Sequence, residues 1–166
     1  DKFAYGNLND PKVYVDKESY GMALYLRNNC ARLAQSLIAE GKKDKAIKIL
    51  DKGIELFPDR AVPFDFYMIG YAELYFLAGA PAKGKEIFNT LGQIYDQNLE
   101  YYQSVDSKTF DKNVMFSLNG MEQSAGFFGE DVQQGLQVLQ ALMTYSDKYD
   151  QKEESKKYRA MLMKYV

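Results

Sequence analysis

The segment from Cys30 to Pro58, CARLAQSLIAEGKKDKAIKILDKGIELFP, leaves the chain few ways to fold. Cys30, Leu33, Ala34, Leu37 and Ile38 recur at helical spacing and place an apolar stripe on one side of a helix. Arg32, Gln35, Ser36 and Glu40 fall between them, on the wetter side. Gly41 has no Cβ to clash in the left-handed conformation that closes a helix. Asp44 is the expected N-cap of a second helix, which buries Ala46, Ile47, Leu50, Gly53, Ile54 and Phe57 and ends at Pro58. Two short stripes joined by one glycine predict a helix–turn–helix hairpin.

The hairpin is similar to the tetratricopeptide (TPR) repeat, which has a period of about 34 residues and the pattern W-x2-L-G-x2-Y, A-x3-F, P. Cys30 takes the Trp place, Leu33–Ala34 the Leu-Gly pair and Leu37 the Tyr; Ala46, Leu50 and Pro58 follow in order. The match is one of size and polarity. Small residues (Ala34, Ala46, Gly53) recur where two helices would cross closely.

The same cycle restarts after a loop at Asp59–Pro63. A helix over Phe64–Ala78 repeats the four places as Met68, Tyr71, Ala72 and Tyr75, with Gly79 as its turn glycine. The two turn glycines lie 38 residues apart, and the inserted loop accounts for the excess over one period. Pro81 suits a helix's first turn, and Gly84, Phe88, Leu91, Tyr95 and Tyr102 continue it. A helix is expected over Lys112–Ser124, followed by a loop. Asp131–Tyr149 (Val132, Leu136, Leu139, Met143) and Gln151–Tyr165 (Tyr158, Met161, Leu162, Tyr165) form a last pair of repeat-like size without the signature. The expected architecture is all-α, a TPR-like right-handed stack of hairpins with two recognisable repeats and an atypical terminal pair. Glu18–Glu40 is its first helix, with Met22, Ala23 and Leu26 extending the stripe. Residues 1–17 carry Gly6, Asn7, Asn9, Asp10 and Pro11 and read as an extended arm, with Val13, Tyr14 and Val15 docking on a helical domain of residues 18–166.

Chemistry is sparse. The chain has no histidine and a single cysteine, which removes the commonest base and metal ligand, every His-dependent triad and any intrachain disulfide. Cys30 reads as a core thiol. The glycines are scattered and form no phosphate-binding loop. Asp147, Asp150, Glu153 and Glu154 lack calcium-loop spacing and alternate with lysines, as a solvated face does. Lys plus Arg (21) nearly balances Asp plus Glu (23), so nothing favours nucleic acid or an anionic membrane. The most apolar stretch, Phe64–Ala82, is broken by Asp65, Glu73 and Pro81 and reads as a buried helix. These features predict no catalytic residue, no cofactor and no metal site.

The 14 tyrosines and 10 phenylalanines suit wide helix crossings, and a subset could line a groove. In TPR stacks the inner surface comes from first helices. The matching places here are Asn28, Ala31, Arg32, Gln35, Ile38 and Ala39, then Phe66, Ile69, Gly70, Glu73, Phe76 and Leu77. The candidate groove therefore rests on Asn28, Arg32, Gln35, Phe66, Glu73 and Phe76, a mix suited to a peptide or helix.

The segments YGNLNDPKVYVD, ARLAQSLIAEGKKDKAIKILDKGIELFP and VPFDFYMIGYAELYFLAG resemble the C-terminal soluble region of a family of Bacteroidetes multi-pass membrane proteins of unknown function. The membrane part of that family is similar to protein O-mannosyltransferases. The resemblance covers Tyr5 to Tyr102 and carries over no site residue. It implies a periplasmic tail attached to the membrane through an upstream segment, and a chain starting at Asp1 fits a piece of a longer protein. The expected function is a non-catalytic module for protein–protein or substrate docking. The alternatives are a glycan or small-ligand domain using surface tyrosines, and a purely structural spacer or dimerisation tail.

Overall fold

A computed structural model describes residues 7, 8, 10, 12–121 and 123–166. Among these the chain is all-helical, with seven α-helices and no strand. They are α1 (Lys17–Ala39), α2 (Lys43–Leu56), α3 (Met68–Ala78), α4 (Pro81–Val105), α5 (Ser107–Leu118), α6 (Gly129–Lys148) and α7 (Lys152–Met163). The chain divides into two compact units, Asp1–Lys85 and Glu86–Val166.

Four of the helices end in one hydrogen-bonding pattern. After α1, Gly41 donates to the Ile38 carbonyl at 2.9 Å and Lys42 to that of Leu37 at 2.8 Å. After α3, Gly79 donates to Phe76 and Ala80 to Tyr75; after α5, Gly120 donates to Ser117 and Met121 to Phe116. After α6, Asp150 donates to Asp147 and Gln151 to Ser146. This is the Schellman closure, which needs a left-handed residue just past the helix. Gly41, Gly79 and Gly120 meet that need, and Asp150 does so at φ 56° with a short side chain that tolerates it.

In the first unit, Asp16 caps α1 by accepting from the backbone N–H groups of Glu18 and Ser19, both at 2.9 Å. The buried stripe of α1 is Ala23, Arg27 and Ala34. Two expected members lie outside it: Leu33 is 49% and Met22 65% exposed. The close crossing with α2 explains Leu33, because a Cβ on Gly53 would lie 3.1 Å from the Cys30 Cβ. Only small groups fit there, and Leu33 points about 100° away from Ala34 around the helix. Cys30 is half-buried, and burial pushes its thiol pKa up. Helix α2 buries Ala46, Leu50 and Gly53, and Phe57 behind them. Asp44 is not its N-cap: Lys42 holds that place without a side-chain bond, and Asp44 sits in the first turn, where its charge suits the helix dipole.

Helix α3 begins at Met68, four residues later than the apolar pattern suggests. Asp59 accepts from the Phe64 N–H at 2.6 Å and Asp65 from that of Tyr67 at 3.1 Å, which holds 64–67 as loop and turn. The expected arm over 1–17 falls partly on residues 1–6, 9 and 11, outside the described ones. Of the expected docking residues, Val13 and Val15 are half-buried but Tyr14 is 88% exposed. Leu8 instead packs on the cluster of Ala23, Phe57 and Val62.

In the second unit, α5 spans Ser107–Leu118 rather than 112–124. Asp106 caps it by accepting from the Thr109 N–H at 3.1 Å, a start signal missed in sequence. The core joins Leu99, Phe110, Val114, Val132, Leu136, Leu139 and Tyr165. Gly135 lies against Leu99, and Tyr158 lies across Gly92. Met143 is half-buried, and Met161 and Leu162 pack at the edge of the core.

Candidate functional site

The first unit holds an open groove of about 410 Å³ between α1 and α3. One wall is Asn28, Ala31, Arg32, Gln35 and Ile38, whose spacing puts them on a single side of α1. The other is Gly70, Glu73, Leu74 and Leu77 of α3, with Tyr67 and Tyr71.

The wall positions follow from what lies beneath them. Tyr71 is buried and donates its hydroxyl to the Leu50 carbonyl at 2.8 Å, its oxygen filling the notch left by Gly53. Burial raises the phenol pKa far above its ordinary value, so the hydroxyl stays a neutral donor. One helical turn on, Tyr75 donates to Asp51 Oδ1 at 3.0 Å, and Lys83 pairs with the same carboxylate at 2.6 Å. These bonds fix α3 on α2.

Arg27 fixes α1 to the segment that leads into α3. It is fully buried, and its guanidinium donates to the carbonyls of Val62 at 2.6 Å, Pro63 at 3.3 Å and Phe57 at 3.4 Å. The same group lies 5.2 Å from the Phe64 ring centroid. Burial lowers its pKa and the nearby Asp65 charge opposes that fall, while burial raises the pKa of Asp65. The spacing between the two walls thus depends on one polar side chain that sequence reading passed over. A signal was available: Arg27 lies four residues after Ala23 and seven before Ala34, inside the buried stripe.

Of the six candidate residues, the groove collects Asn28, Arg32, Gln35 and Glu73. Phe66 and Phe76 lie outside its lining. Phe66 sits in the turn before α3 with its ring 4.0 Å from that of Tyr67, and Phe76 turns toward α4, where a Cβ on Gly84 would meet its ring at 2.6 Å. Ala39 and Ile69 are also outside. In their place come Tyr67, Tyr71 and Leu74. The Arg32 guanidinium forms no ion pair among the described residues. The groove therefore offers a charged donor and amides on one wall, a carboxylate on the other, and an apolar strip formed by Ala31, Ile38, Leu74 and Leu77.

Among the described residues, no group of three or more His, Cys, Asp or Glu side chains is placed to hold a metal ion. No helix among them is long and apolar enough to cross a membrane. No protein-family model, curated protein or solved structure matches this chain significantly.

Proposed function

We propose that this chain is a non-catalytic, TPR-like helical-repeat module that holds a peptide segment of a partner protein in the groove between α1 and α3. In this reading it is the periplasmic C-terminal part of a membrane glycosyltransferase-like protein, joined to the membrane through an upstream segment, and docks a partner or substrate for it. The observation that carries the reading is the joint lining of one groove by Asn28, Arg32 and Gln35 from α1 and Glu73 from α3. Helix closures recurring at Gly41, Gly79, Gly120 and Asp150 support a chain built from helices that turn back, as a hairpin repeat requires. A groove with an apolar strip and polar groups on both walls suits an extended or helical peptide.

The test is a random peptide array probed with the whole chain, followed by affinity measurement on the selected peptides. Arg32→Glu and Ile38→Asp should each weaken binding about tenfold or more, the effect of losing one well-placed contact. Leu33→Asp, an exposed change outside the groove, should leave it unchanged. Equal binding by all three variants, or no selected peptide, overturns the reading.

One observation favours a second reading. Tyr67 lines the groove with 58% of its surface exposed, a flat ring on which a sugar could stack. Titration with mannose oligosaccharides followed by tyrosine fluorescence separates the two: a saturable change lost in Tyr67→Ala supports glycan binding, and a flat titration removes it.

A further inference from the structure

The second unit carries a separate pocket of about 130 Å³ whose lining includes Tyr102, Phe110, Phe127 and Phe128, with Val105 and Val132 beside them. Its volume is close to that of an engineered cavity of about 150 Å³ that admits one benzene molecule. Phe127 and Phe128 stand perpendicular, with ring centroids 5.0 Å apart and an interplanar angle of 88°. Tyr102 stacks on Phe128 at 4.6 Å.

Phe127 is 93% exposed, yet its backbone is tied down on both sides. The buried Asn113 side chain donates to the Ala125 carbonyl and accepts from the Ala125 N–H, both at 2.8 Å. A Cβ on Gly126 would lie 2.5 Å from the Thr109 methyl, and one on Gly129 would lie 3.0 Å from Asn113 Oδ1. The ring is thus held in water by a fixed loop, against the hydrophobic effect.

Carboxylates stand near these rings. Asp106 lines the pocket, and its hydrogen bonds to Thr109 hold its carboxyl below the usual range, so it is ionised at neutral pH. Asp131, close enough to act on the Tyr102 phenol, and Glu130 lie in the first turn of α6. Lys108 acts on Asp106 but forms no ion pair with it among the described residues. Aromatic faces carry negative quadrupole charge and attract a poorly hydrated cation. A purely apolar occupant would gain nothing from the carboxylates.

The geometry points to a binding site for an organic ammonium group beside Tyr102, Phe127 and Phe128, with the Asp106 carboxylate in the same lining. The group could belong to a free choline-like solute or to a choline lipid headgroup. Both present the same methylated cation.

Calorimetric titration of the whole chain with choline and tetramethylammonium chloride tests this, with dimethylbutanol as the uncharged carbon isostere of choline. Choline should bind saturably and the isostere about tenfold more weakly, the scale of cation–π and charge contributions. Phe127→Ala removes an exposed ring, and Asp106→Asn keeps a helix-capping side chain while removing the charge. Each should weaken choline binding about tenfold with an unchanged circular dichroism spectrum. Cosedimentation with phosphatidylcholine against phosphatidylglycerol vesicles then separates the sources. Phosphatidylcholine-selective pelleting lost in Phe127→Ala assigns the headgroup, and free choline binding without pelleting assigns the solute; either keeps the proposal. Absence of choline binding, or equal binding of the uncharged isostere, overturns it.

Discussion

In the first unit Tyr71 lies across Gly53 and donates to a backbone carbonyl; in the second Tyr158 lies across Gly92 and donates to the Asn89 side chain at 3.1 Å. In both, a glycine removes the Cβ that would hold two helices apart, and a tyrosine fills the notch with its ring or hydroxyl. The interhelix loops show a similar pairing. Arg27 holds segment 57–63 through three carbonyls, and Asn113 holds the loop before α6 through both backbone groups of Ala125. Each unit also sets a Tyr–Asp–Lys group at a helix crossing. In the first it is Tyr75, Asp51 and Lys83, and in the second Tyr165, Asp96 and Lys164, with the tyrosine hydroxyl 2.6 Å from Asp96 Oδ1. The difference lies in reach. The Arg27 guanidinium serves three carbonyls of segment 57–63 and can only donate, whereas the Asn113 carboxamide both donates and accepts at Ala125 and spends its second N–H on the Thr109 carbonyl of its own helix. The first unit's loop is therefore committed to a longer, charged pin, and the groove above it inherits that dependence.

The comparison is most exposed to a change in the two pins. Arg27→Met leaves three carbonyls without their donor and should cost about 3 kcal/mol, against about 2 kcal/mol for Asn113→Leu. Urea unfolding of each variant checks the order, and a costlier Asn113 change would break the parallel. The glycine notches come next. A Cβ at Gly53 would lie 2.2 Å from the Tyr71 hydroxyl, against 2.8 Å from the Tyr158 ring at Gly92. Gly53→Ala should cost about 2–3 kcal/mol because it also displaces a buried donor, and Gly92→Ala about 1–2 kcal/mol. Equal melting temperatures would remove the distinction between ring packing and hydrogen bonding. The smallest effects fall at the turns, where the units use different residues for one conformation. Asp150→Gly should stabilise by about 0.5 kcal/mol and Gly41→Ala destabilise by about 1 kcal/mol, as thermal melts would show.

Sequence reading was strongest where one local rule acts alone. Gly41, Gly79, the hairpin of Ala34, Ala46, Leu50 and Gly53, and both C-terminal helices were legible because helical spacing and glycine freedom are local properties. It failed at Leu33, since two helices flank α1 and a stripe broader than either contact admits an exposed leucine. It misplaced α3 because Asp59 and Asp65 capture the backbone at 64–67, and misplaced α5 because the Asp106 cap outweighs the apolar pattern. Asn28, Arg32, Gln35 and Glu73 could be assigned to one surface from their register. Phe66 and Phe76 could not, since a glycine at position 84 draws Phe76 aside.

The amino-acid sequence by itself determined an all-helical chain, the places where helices turn back, and which residues of α1 share a side. These follow from spacing and from glycine's missing Cβ. Only the tertiary structure decided that Arg27 is buried, that Tyr71 and Tyr158 lie across glycines, and that Phe127 stands in water beside an aromatic pocket. Each of those depends on groups far apart in the chain meeting at a few ångströms, where hydrogen-bond demand and close packing override local preference.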